Sequence, residues 1–371
     1  MLKFVPEPMK ALLRPLRDQY RNWRVNQQHV EMPASGIHLH FAGMIGPENK
    51  VIFGGAVKLL PLAKAFPGSA ECFNVLYLVS SVYSPTHFGW IQLAKRIGAK
   101  IVLNQNGVGY PAWAPKEYTV INDRNRRLIE QSDYVIYQSQ FSKECVAHWV
   151  GKFDKPACVL ANPVDTNAFC PSVQALPDRP LVLLAAGTHQ HAYRVATVLK
   201  ALANLRQDGL DCCLHLAGQF HFDDPAESGF KKMLQEFGVA GHVVRIPPFT
   251  RSQAPEIFRK AHILIHPQYK DACPTVVLEA LASGVPVIGT CRGGMPELVT
   301  PECGVLLDVP DTWDELPAFN LESLCSAVQK IAQRREFFST AARRRAEQFN
   351  ELSWVDAHAR ILSDVLVQKK P

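Results

Sequence analysis

Short apolar runs alternate with longer helical patterns along almost all of this 371-residue chain, and no other feature restricts its fold as strongly. Runs such as "FNVLYLVS" and "DYVIYQS" have the length and composition of buried strands, whereas "GWIQLAKRIG" repeats apolar residues at helical spacing. Strands separated by helices pair in parallel, because each helix carries the chain back across the sheet. The sequence therefore predicts an α/β fold.

The strand-like runs form two groups. The first group is "GIHLHFAG", "FNVLYLVS", "AKIVLNQN", "DYVIYQS" and "ACVLANP", and the second is "PLVLLAAG", "CCLHLAG", "HVVRIPP", "HILIHPQ" and "VPVIGT". Prolines and polar residues separate the groups over residues 161–179. We therefore predict two Rossmann-like, doubly wound domains, over residues 1–161 and 162–350, and a C-terminal helix over residues 351–371 that packs back on the first domain.

Composition narrows the class of protein. Hydrophobic residues make up 47% of the chain and charged residues 20%, which is typical of a soluble globular protein. No apolar run approaches the roughly 18–20 residues that span a bilayer, and the N-terminal segment lacks a signal-peptide core, so we expect a cytoplasmic protein. The ten cysteines are scattered and without a C-x-x-C pair, and the net charge of +6 is concentrated in the first 30 residues. Nucleic acid is therefore not an expected partner.

Two acids eight positions apart, Asp271 and Glu279, bracket the proline and the apolar run of "DACPTVVLEALASGVPVIGT". An acid inside an apolar helix needs a polar partner. Pro274 suits the first turn of a helix that ends before Gly284, and the free N–H groups of such a turn can hold a pyrophosphate. These N–H groups are expected near Pro274, Thr275 and Val276. The segment therefore predicts an anion-binding turn beside two acids.

The stretch over residues 262–307 closely resembles the donor-sugar domain of glycosyltransferase family 4. The resemblance is carried by an acid, seven residues and a glutamate, then by Ser283-Gly284, "VPVIGT", "GGMPELV" and "CGVLLD" in that order. Looser matches are "NPVDTNAF", "LVLLAAGTHQHAYRVATVLKALANL" and "FNELSWVDAHARIL". The first domain resembles the family only in its alternation of strands and helices. The resemblance implies the GT-B fold, in which two Rossmann-like domains face a central cleft.

The family resemblance also implies a function. It implies a retaining glycosyltransferase of hexosyltransferase type, which moves a sugar from a nucleotide diphosphate sugar to a hydroxyl of a glycan or lipid-linked acceptor in glycan, polysaccharide or glycolipid biosynthesis. The second domain would bind the donor and the first the acceptor, with no cofactor. Two alternatives stay open, a nucleotide-sugar epimerase on the same fold and a non-catalytic nucleotide-sugar or partner-binding homologue.

The resemblance assigns roles to residues. Glu279 would take the ribose hydroxyls, Asp271 the sugar hydroxyls, and Arg194 the phosphates. The chain departs from the family where Thr188 stands in a position that is often arginine and Arg194 near one that is often lysine. The expected donor-binding residues are Gly187, Thr188, His189, Pro274, Thr275, Val276 and Glu279.

Candidates in the first domain rest on weaker patterns. Gly54 and Gly55 open a helix and would allow close backbone approach to donor or acceptor, although glycines there can also serve packing. Asn106 follows a strand where many relatives have a histidine, although Asn-Gly can also form a turn. A metal site from His189, His191, His221, Asp223 and Asp224 is an alternative that we do not favour, because His-x-His in a loop is common.

The N-terminal segment "PMKALLRPLRDQYRNWRV" has a two-sided helical pattern. Leu13, Leu16, Tyr20 and Trp23 recur at helical spacing, and Arg14, Arg17, Arg21 and Arg24 recur one step round. This basic amphipathic face predicts peripheral association of residues 9–26 with anionic membrane at the inner face. The alternative is that the apolar stripe docks on the first domain. Pro15 predicts that the helix starts near residue 14.

Overall fold

The protein is described by a computed structural model that covers residues 7–45, 54–174, 176–224 and 226–367, with side chains described from residue 15 onward apart from Gly54 and Ala56. Two parallel β-sheets, each flanked by helices, form separate halves of the chain. The prediction of two parallel-sheet α/β domains is confirmed.

The first sheet has five strands that lie side by side in chain order. They are β1 Leu39–His40, β2 Val75–Val79, β3 Lys100–Gln105, β4 Tyr134–Tyr137 and β5 Ala157–Val159. Every residue of β2 is buried, because helices cover both faces of the sheet. The helices of this half are α1 Glu7–Asn26, α2 Gly54–Val57, α3 Leu59–Ala65, α4 His87–Ile97, α5 Tyr118–Gln131 and α6 Gln140–Trp149.

The second sheet has six strands in the order β11-β10-β9-β6-β7-β8. They are β6 Leu181–Ala186, β7 Cys212–Ala217, β8 Val243–Ile246, β9 Ile263–His266, β10 Val287–Thr290 and β11 Gly304–Leu307. The chain builds one side of this sheet from β6 to β8 and then crosses to the other side, so the strand order reverses between β6 and β9. Two hydrophobic clusters, one on each face, form its core.

Helices fill the rest of the second half and the C-terminus. They are α7 Ala192–Gln207, α8 Ser228–Glu236, α9 Ala254–Arg259, α10 Thr275–Ala282, α11 Met295–Leu298, α12 Leu321–Gln333, α13 Arg335–Ala346 and α14 Glu351–Val367, with 3₁₀ turns at Ala240–His242 and Glu347–Phe349. Helix α14 adds Trp354, Leu362 and Val365 to the hydrophobic core of the first sheet. The hydroxyl of Tyr77 in β2 lies 2.9 Å from Nε2 of His358 in the same helix.

Helix α1 differs from the sequence prediction in its start, because it runs through Pro15 from Glu7. A proline removes one backbone donor from a helix, and at an exposed position water can solvate the carbonyl that loses its partner. The helix contacts α4 through the side that carries Asn22 and Val25. Oδ1 of Asn22 accepts a hydrogen bond from the backbone N–H of Gly89 at 2.5 Å, and Val25 is buried.

Candidate active site

A cleft of about 510 Å³ separates the two halves, and residues from both halves line it at the carboxyl ends of their strands. Open parallel sheets bind ligands at this edge, above all where the strand order reverses. In the second sheet that point lies between β6 and β9. The loops after these two strands supply Thr188 and Asp271 to the cleft wall.

The cleft brings together most of the residues that the sequence singles out. Those in its wall are Gly55, Asn106, Gly187, Thr188, Arg194, Asp271, Pro274, Thr275, Val276 and Glu279. His189 lies behind the wall, where it is 1% exposed and its Nε2 is 3.1 Å from the carbonyl oxygen of Ala217. Burial lowers the pKa of His189 to about 3. Gly54 begins α2, and its surroundings fall outside the described part of the chain.

Helix α10 presents its first turn to the cleft. Pro274 occupies the N-cap position with extended backbone, and no side chain caps the turn. The N–H groups at this end therefore carry the positive end of the helix dipole towards the cleft. Asp271 precedes the helix, and its Oδ2 lies 3.4 Å from Nε2 of buried His266, whose pKa is lowered by burial.

The Gly-Gly of "GGMPELV" supports the acid-bearing loop. A Cβ at Gly294 would lie 1.9 Å from the carbonyl oxygen of Ala272, and one at Gly293 would lie 2.6 Å from that of Asp271. Only glycine permits this approach, which lets the Gly294 N–H donate to the Asp271 carbonyl at 2.8 Å. The acid of the same motif, Glu297, accepts from two backbone N–H groups at the start of α6 in the other half of the molecule, at 2.8 and 2.9 Å.

The carboxyl of Glu279 lies in the cleft wall. Burial raises its pKa to about 8, and the positive charge of Arg251 only partly opposes this shift. Arg251 is itself paired with Glu351 at 3.0 Å. No hydrogen bond reaches the Glu279 carboxyl from any described residue. Near neutral pH the carboxyl is mostly protonated, so it can both donate to and accept from a neighbouring diol.

Arg194 is a buried cation with an unused donor. It is 6% exposed, and burial lowers its pKa. One guanidinium nitrogen, Nη1, donates to the carbonyl oxygen of Thr188 at 2.5 Å, whereas the buried Nε has no partner among the described residues. A buried guanidinium without a paired carboxylate is costly unless an anion completes it.

The cleft as a whole is positive. Its wall holds four cationic side chains and two acids, of which Glu279 is mostly neutral near pH 7. Arg251 and Lys270 are paired with Glu351 and Asp311 outside the wall, so the excess positive charge comes from Arg124 and Arg194. These six residues are Arg124, Arg194, Arg251, Lys270, Asp271 and Glu279. A cleft of this charge favours an anionic ligand.

Lys58 lies directly beneath the cleft, and sequence reasoning missed it. The side chain is 2% exposed, and its Nζ donates to Oδ1 of Asn104 at 2.5 Å, of Asn106 at 3.0 Å and of Asn162 at 3.2 Å. Burial lowers the pKa of Lys58 to about 7. A lysine inside the apolar run "AVKLLPL" was the available signal, because lysine is rarely fully buried.

The Lys58 network crosses from one half to the other. Nδ2 of Asn162 donates to the carbonyl oxygen of Cys273 at 2.8 Å, and the Asn162 backbone N–H lies 3.3 Å from Sγ of Cys273. Cys273 directly precedes Pro274. The lysine therefore reaches the first turn of α10 through a single asparagine.

An aromatic contact also joins the two halves and was not predicted. Trp313 follows β11, and its ring stacks on His148 and Phe141 of the first half at centroid distances of 5.9 and 6.2 Å. Nζ of Lys270 lies 3.4 Å from the centroid of the same ring. The carbonyl oxygen of Trp313 accepts from the Ala112 N–H at 2.9 Å.

The carboxylates of the alternative metal cluster have other partners. Asp223 accepts from the backbone N–H groups of Gly229 and Phe230, and Asp224 from those of Ala226 and Ser228. Burial raises the pKa of Asp223, but its bonds from backbone N–H groups together outweigh this effect and hold the pKa below its usual range. The hydroxyl and the N–H of Ser228 lower the pKa of Asp224. Within the described ranges there is no group of three or more metal-ligating side chains. Among the helices in those ranges, none is long and apolar enough to cross a bilayer.

Comparison with known proteins agrees with this geometry. Residues 170–323 match the family "Glycosyl transferases group 1". A D-inositol 3-phosphate glycosyltransferase of Pseudarthrobacter chlorophenolicus is 28% identical over 326 residues, which cover 85% of this chain and 68% of that protein. A protein of the same name from Mycobacteroides abscessus is 27% identical over 154 residues, which cover 40% of this chain and 32% of that protein.

Solved structures share the fold. HepE of Anabaena in complex with UDP-glucose has a TM-score of 0.68 at 15% identity, with 91% of this chain and 100% of that chain covered. Sucrose-phosphate synthase of Thermosynechococcus elongatus has a TM-score of 0.66 at 18% identity, with 79% and 74% covered. The second domain thus matches the glycosyl transferases group 1 family, and the chain is a glycosyltransferase of the GT-B fold.

Proposed function

We propose that the protein transfers a hexose from a nucleotide diphosphate sugar to a hydroxyl of a glycan or lipid-linked acceptor, with retention of anomeric configuration. One observation carries the proposal: the cleft joins the uncapped start of α10, the unpartnered Nε of Arg194 and the carboxyl of Glu279 in one wall. This set matches the parts of a nucleotide diphosphate, which are two phosphates and a ribose diol. The solved relative HepE holds UDP-glucose, which supports the same donor class here.

The proposed reaction uses the donor's own phosphate as the base. The acceptor hydroxyl attacks the anomeric carbon on the face from which the phosphate leaves, the bond from that carbon to the phosphate oxygen breaks, and the hydroxyl proton passes to the departing phosphate. Arg194 and the N–H groups at the start of α10 stabilise the charge that grows on the diphosphate. Asp271 orients the sugar hydroxyls, and Glu279 holds the ribose.

Nucleotide binding tests this assignment. We expect one nucleoside diphosphate among UDP, GDP and ADP to raise the melting temperature most, because a ligand that binds only the folded state stabilises it. Arg194→Gln should weaken binding of that diphosphate by about 10- to 100-fold in calorimetry, and binding of the matching nucleoside should stay unchanged. Arg206→Gln is the control, since Arg206 lies on the same helix outside the cleft wall. Equal losses for diphosphate and nucleoside would contradict the phosphate role.

We also propose that α1 holds the protein at an anionic membrane surface. The apolar stripe does not dock on the first domain, because Leu16, Tyr20 and Trp23 are 63%, 58% and 57% exposed. Arg17, Arg21 and Arg24 are exposed beside the stripe, whereas Leu13 and Arg14 lie outside the described side chains. An exposed apolar stripe flanked by arginines suits a negatively charged bilayer surface. The cytoplasmic location stays a prediction, which cell fractionation tests.

The epimerase and the non-catalytic homologue gain no support from the residues in the cleft. An epimerase needs an acid and a base aimed at one sugar carbon, whereas the cleft acids are assigned to hydroxyl groups of the donor.

A further inference from the structure

Arg124 lies in the first-domain wall of the cleft without a counter-charge. It belongs to α5, it is half-buried, and burial lowers its pKa. Its Nε is buried and unpartnered, its Nη2 reaches only the Ser80 carbonyl oxygen at 3.5 Å, and its guanidinium stands 5.1 Å from the ring centroid of Tyr83. None of the described carboxylates forms an ion pair with it.

The groups around Arg124 supply no negative charge. His87 packs nearby with both ring nitrogens buried and unpartnered, and its pKa is lowered to about 4 by burial and then by the charge of Arg124. The imidazole is therefore neutral near pH 7. The residues that the first domain contributes to the cleft wall, as far as they are described, include no aspartate or glutamate. A cation in such surroundings is available to pair with an anionic ligand.

Two serine hydroxyl groups in the same wall can act as further hydrogen-bond donors. The backbone N–H of Asn106 donates to Oγ of Ser80 at 3.0 Å, and Nδ2 of Asn106 donates to Oγ of Ser81 at 2.6 Å. Each hydroxyl oxygen already accepts a bond, so its proton remains free for a ligand. Nζ of Lys58 donates to Oδ1 of Asn106, so the other end of the amide, Nδ2, is directed at Ser81. A Cβ at Gly55 would lie 2.4 Å from Oγ of Ser81, so glycine keeps this space open.

These hydrogen-bond donors belong to a different domain from the site proposed for the phosphates of the nucleotide sugar. The proposed diphosphate site, at Arg194 and the start of α10, belongs to the second domain, whereas Ser80, Ser81 and Arg124 belong to the first. A guanidinium and two hydroxyl donors from three separate residues suit the three terminal oxygens of a phosphate, which point in different directions, whereas the two oxygens of a carboxylate lie in one plane.

We infer that the acceptor carries a phosphate group, held by Arg124, Ser80 and Ser81 at the first-domain wall of the cleft. This inference rests on the proposed function, because it names the substrate class of the acceptor side. A free sugar or polyol phosphate and the headgroup of a phospholipid share the chemistry that these residues recognise.

The test uses glycerol 3-phosphate as probe and glycerol as its neutral match. Calorimetry is run on the full chain with the tightest-binding nucleoside diphosphate at saturation, so that the donor site is filled. We expect glycerol 3-phosphate to bind and glycerol not to bind. Arg124→Gln should weaken glycerol 3-phosphate by about 10- to 100-fold and leave nucleoside diphosphate affinity unchanged. Arg126→Gln, an exposed arginine of the same helix outside the wall, should leave both affinities unchanged.

Folding of each variant is checked by its melting temperature, and Arg124→Lys, which keeps the charge, should lose less affinity than Arg124→Gln. A parallel arm replaces the probe by vesicles of phosphatidylglycerol or phosphatidylcholine, in a chain whose Arg17, Arg21 and Arg24 are glutamine, so that α1 does not supply the binding. Loss of phosphatidylglycerol binding in Arg124→Gln alone would identify a lipid headgroup as the source of the phosphate.

Two results would overturn the inference. In one, the protein binds neither glycerol 3-phosphate nor phosphatidylglycerol vesicles, or Arg124→Gln binds them as tightly as wild type does. In the other, the nucleoside diphosphate displaces the probe and itself weakens in Arg124→Gln, which would assign Arg124 to the donor. Failure of the proposed function differs from both, because then no nucleoside diphosphate binds the wild-type protein.

Discussion

The chemistry of Lys58 depends strongly on burial. Its pKa falls from 10.5 to about 7, so its neutral form is favoured in the folded protein. Below pH 7 the lysine is protonated in both the folded and the unfolded chain. Between pH 7 and pH 10.5 the unfolded chain binds more protons, so the contribution of Lys58 to the free energy of unfolding increases as the pH rises.

We therefore predict a pH-dependent effect of Lys58→Met. Wild type should gain on the order of 2 kcal/mol relative to this variant between pH 7 and pH 9, measured by denaturant unfolding. The comparison with the variant matters because Glu279 acts in the opposite direction. Its pKa is raised to about 8, so its contribution to the free energy of unfolding falls as the pH rises towards 8. Lys64→Met removes an exposed lysine from α3 and serves as control. A parallel pH dependence of wild type and Lys58→Met would mean that the lysine stays charged.

Residues with a local signature were predictable, whereas those that depend on tertiary contacts were not. Asp271 and Glu279 stand out because their spacing around a proline predicts one acid before the start of a helix and the other inside it. Lys58 and Arg124 acquire their meaning from strands and helices far away in sequence, at Asn104, Asn162 and Ser80. The spacing of residues along the sequence does not predict such contacts.

At the scale of elements, buried strands were the most predictable part of the fold. Both faces of a parallel sheet are covered, so its strands read as continuous apolar runs. Each of the ten predicted runs contains one of the strands β1 to β10. The segment around Trp313 was missed, because it has no periodicity and is ordered by aromatic rings of the other domain. Helix α1 was placed correctly but began earlier than Pro15 suggested.

Helix α1 makes a prediction that belongs to this scale. The protein should sediment with phosphatidylglycerol vesicles at low salt and not with phosphatidylcholine vesicles, because its exposed arginines attract anionic headgroups. Changing Arg17, Arg21 and Arg24 to glutamine should remove most of this binding.

The control for α1 changes three exposed basic residues elsewhere, Arg126, Arg127 and Lys152, to glutamine. If this control and the α1 variant partition alike, a general charge effect and not the helix would explain the binding. Added salt should reverse the wild-type binding, since screening weakens surface attraction.

At the scale of the whole molecule, three contacts set the two domains around the cleft. Glu297 accepts from the start of α6, Asn162 joins Lys58 to Cys273, and Trp313 packs among rings of the first domain. Helix α14 then crosses back to the first core. The Asn162 contact ends on Cys273, in the loop that carries Asp271 and Pro274, so the arrangement of the domains and the geometry of the proposed donor site are coupled.

The configuration of the transferred sugar tests the central claim most directly. The nucleotide sugar that stabilises the protein most is incubated with the enzyme and a phosphorylated acceptor, and the anomeric proton of the product is followed by NMR. We predict a product with the same anomeric configuration as the donor, and transfer at least about 10²-fold slower in folded Asp271→Asn and Glu279→Ala variants. Normal turnover by both variants, or a product of inverted configuration, would contradict the account.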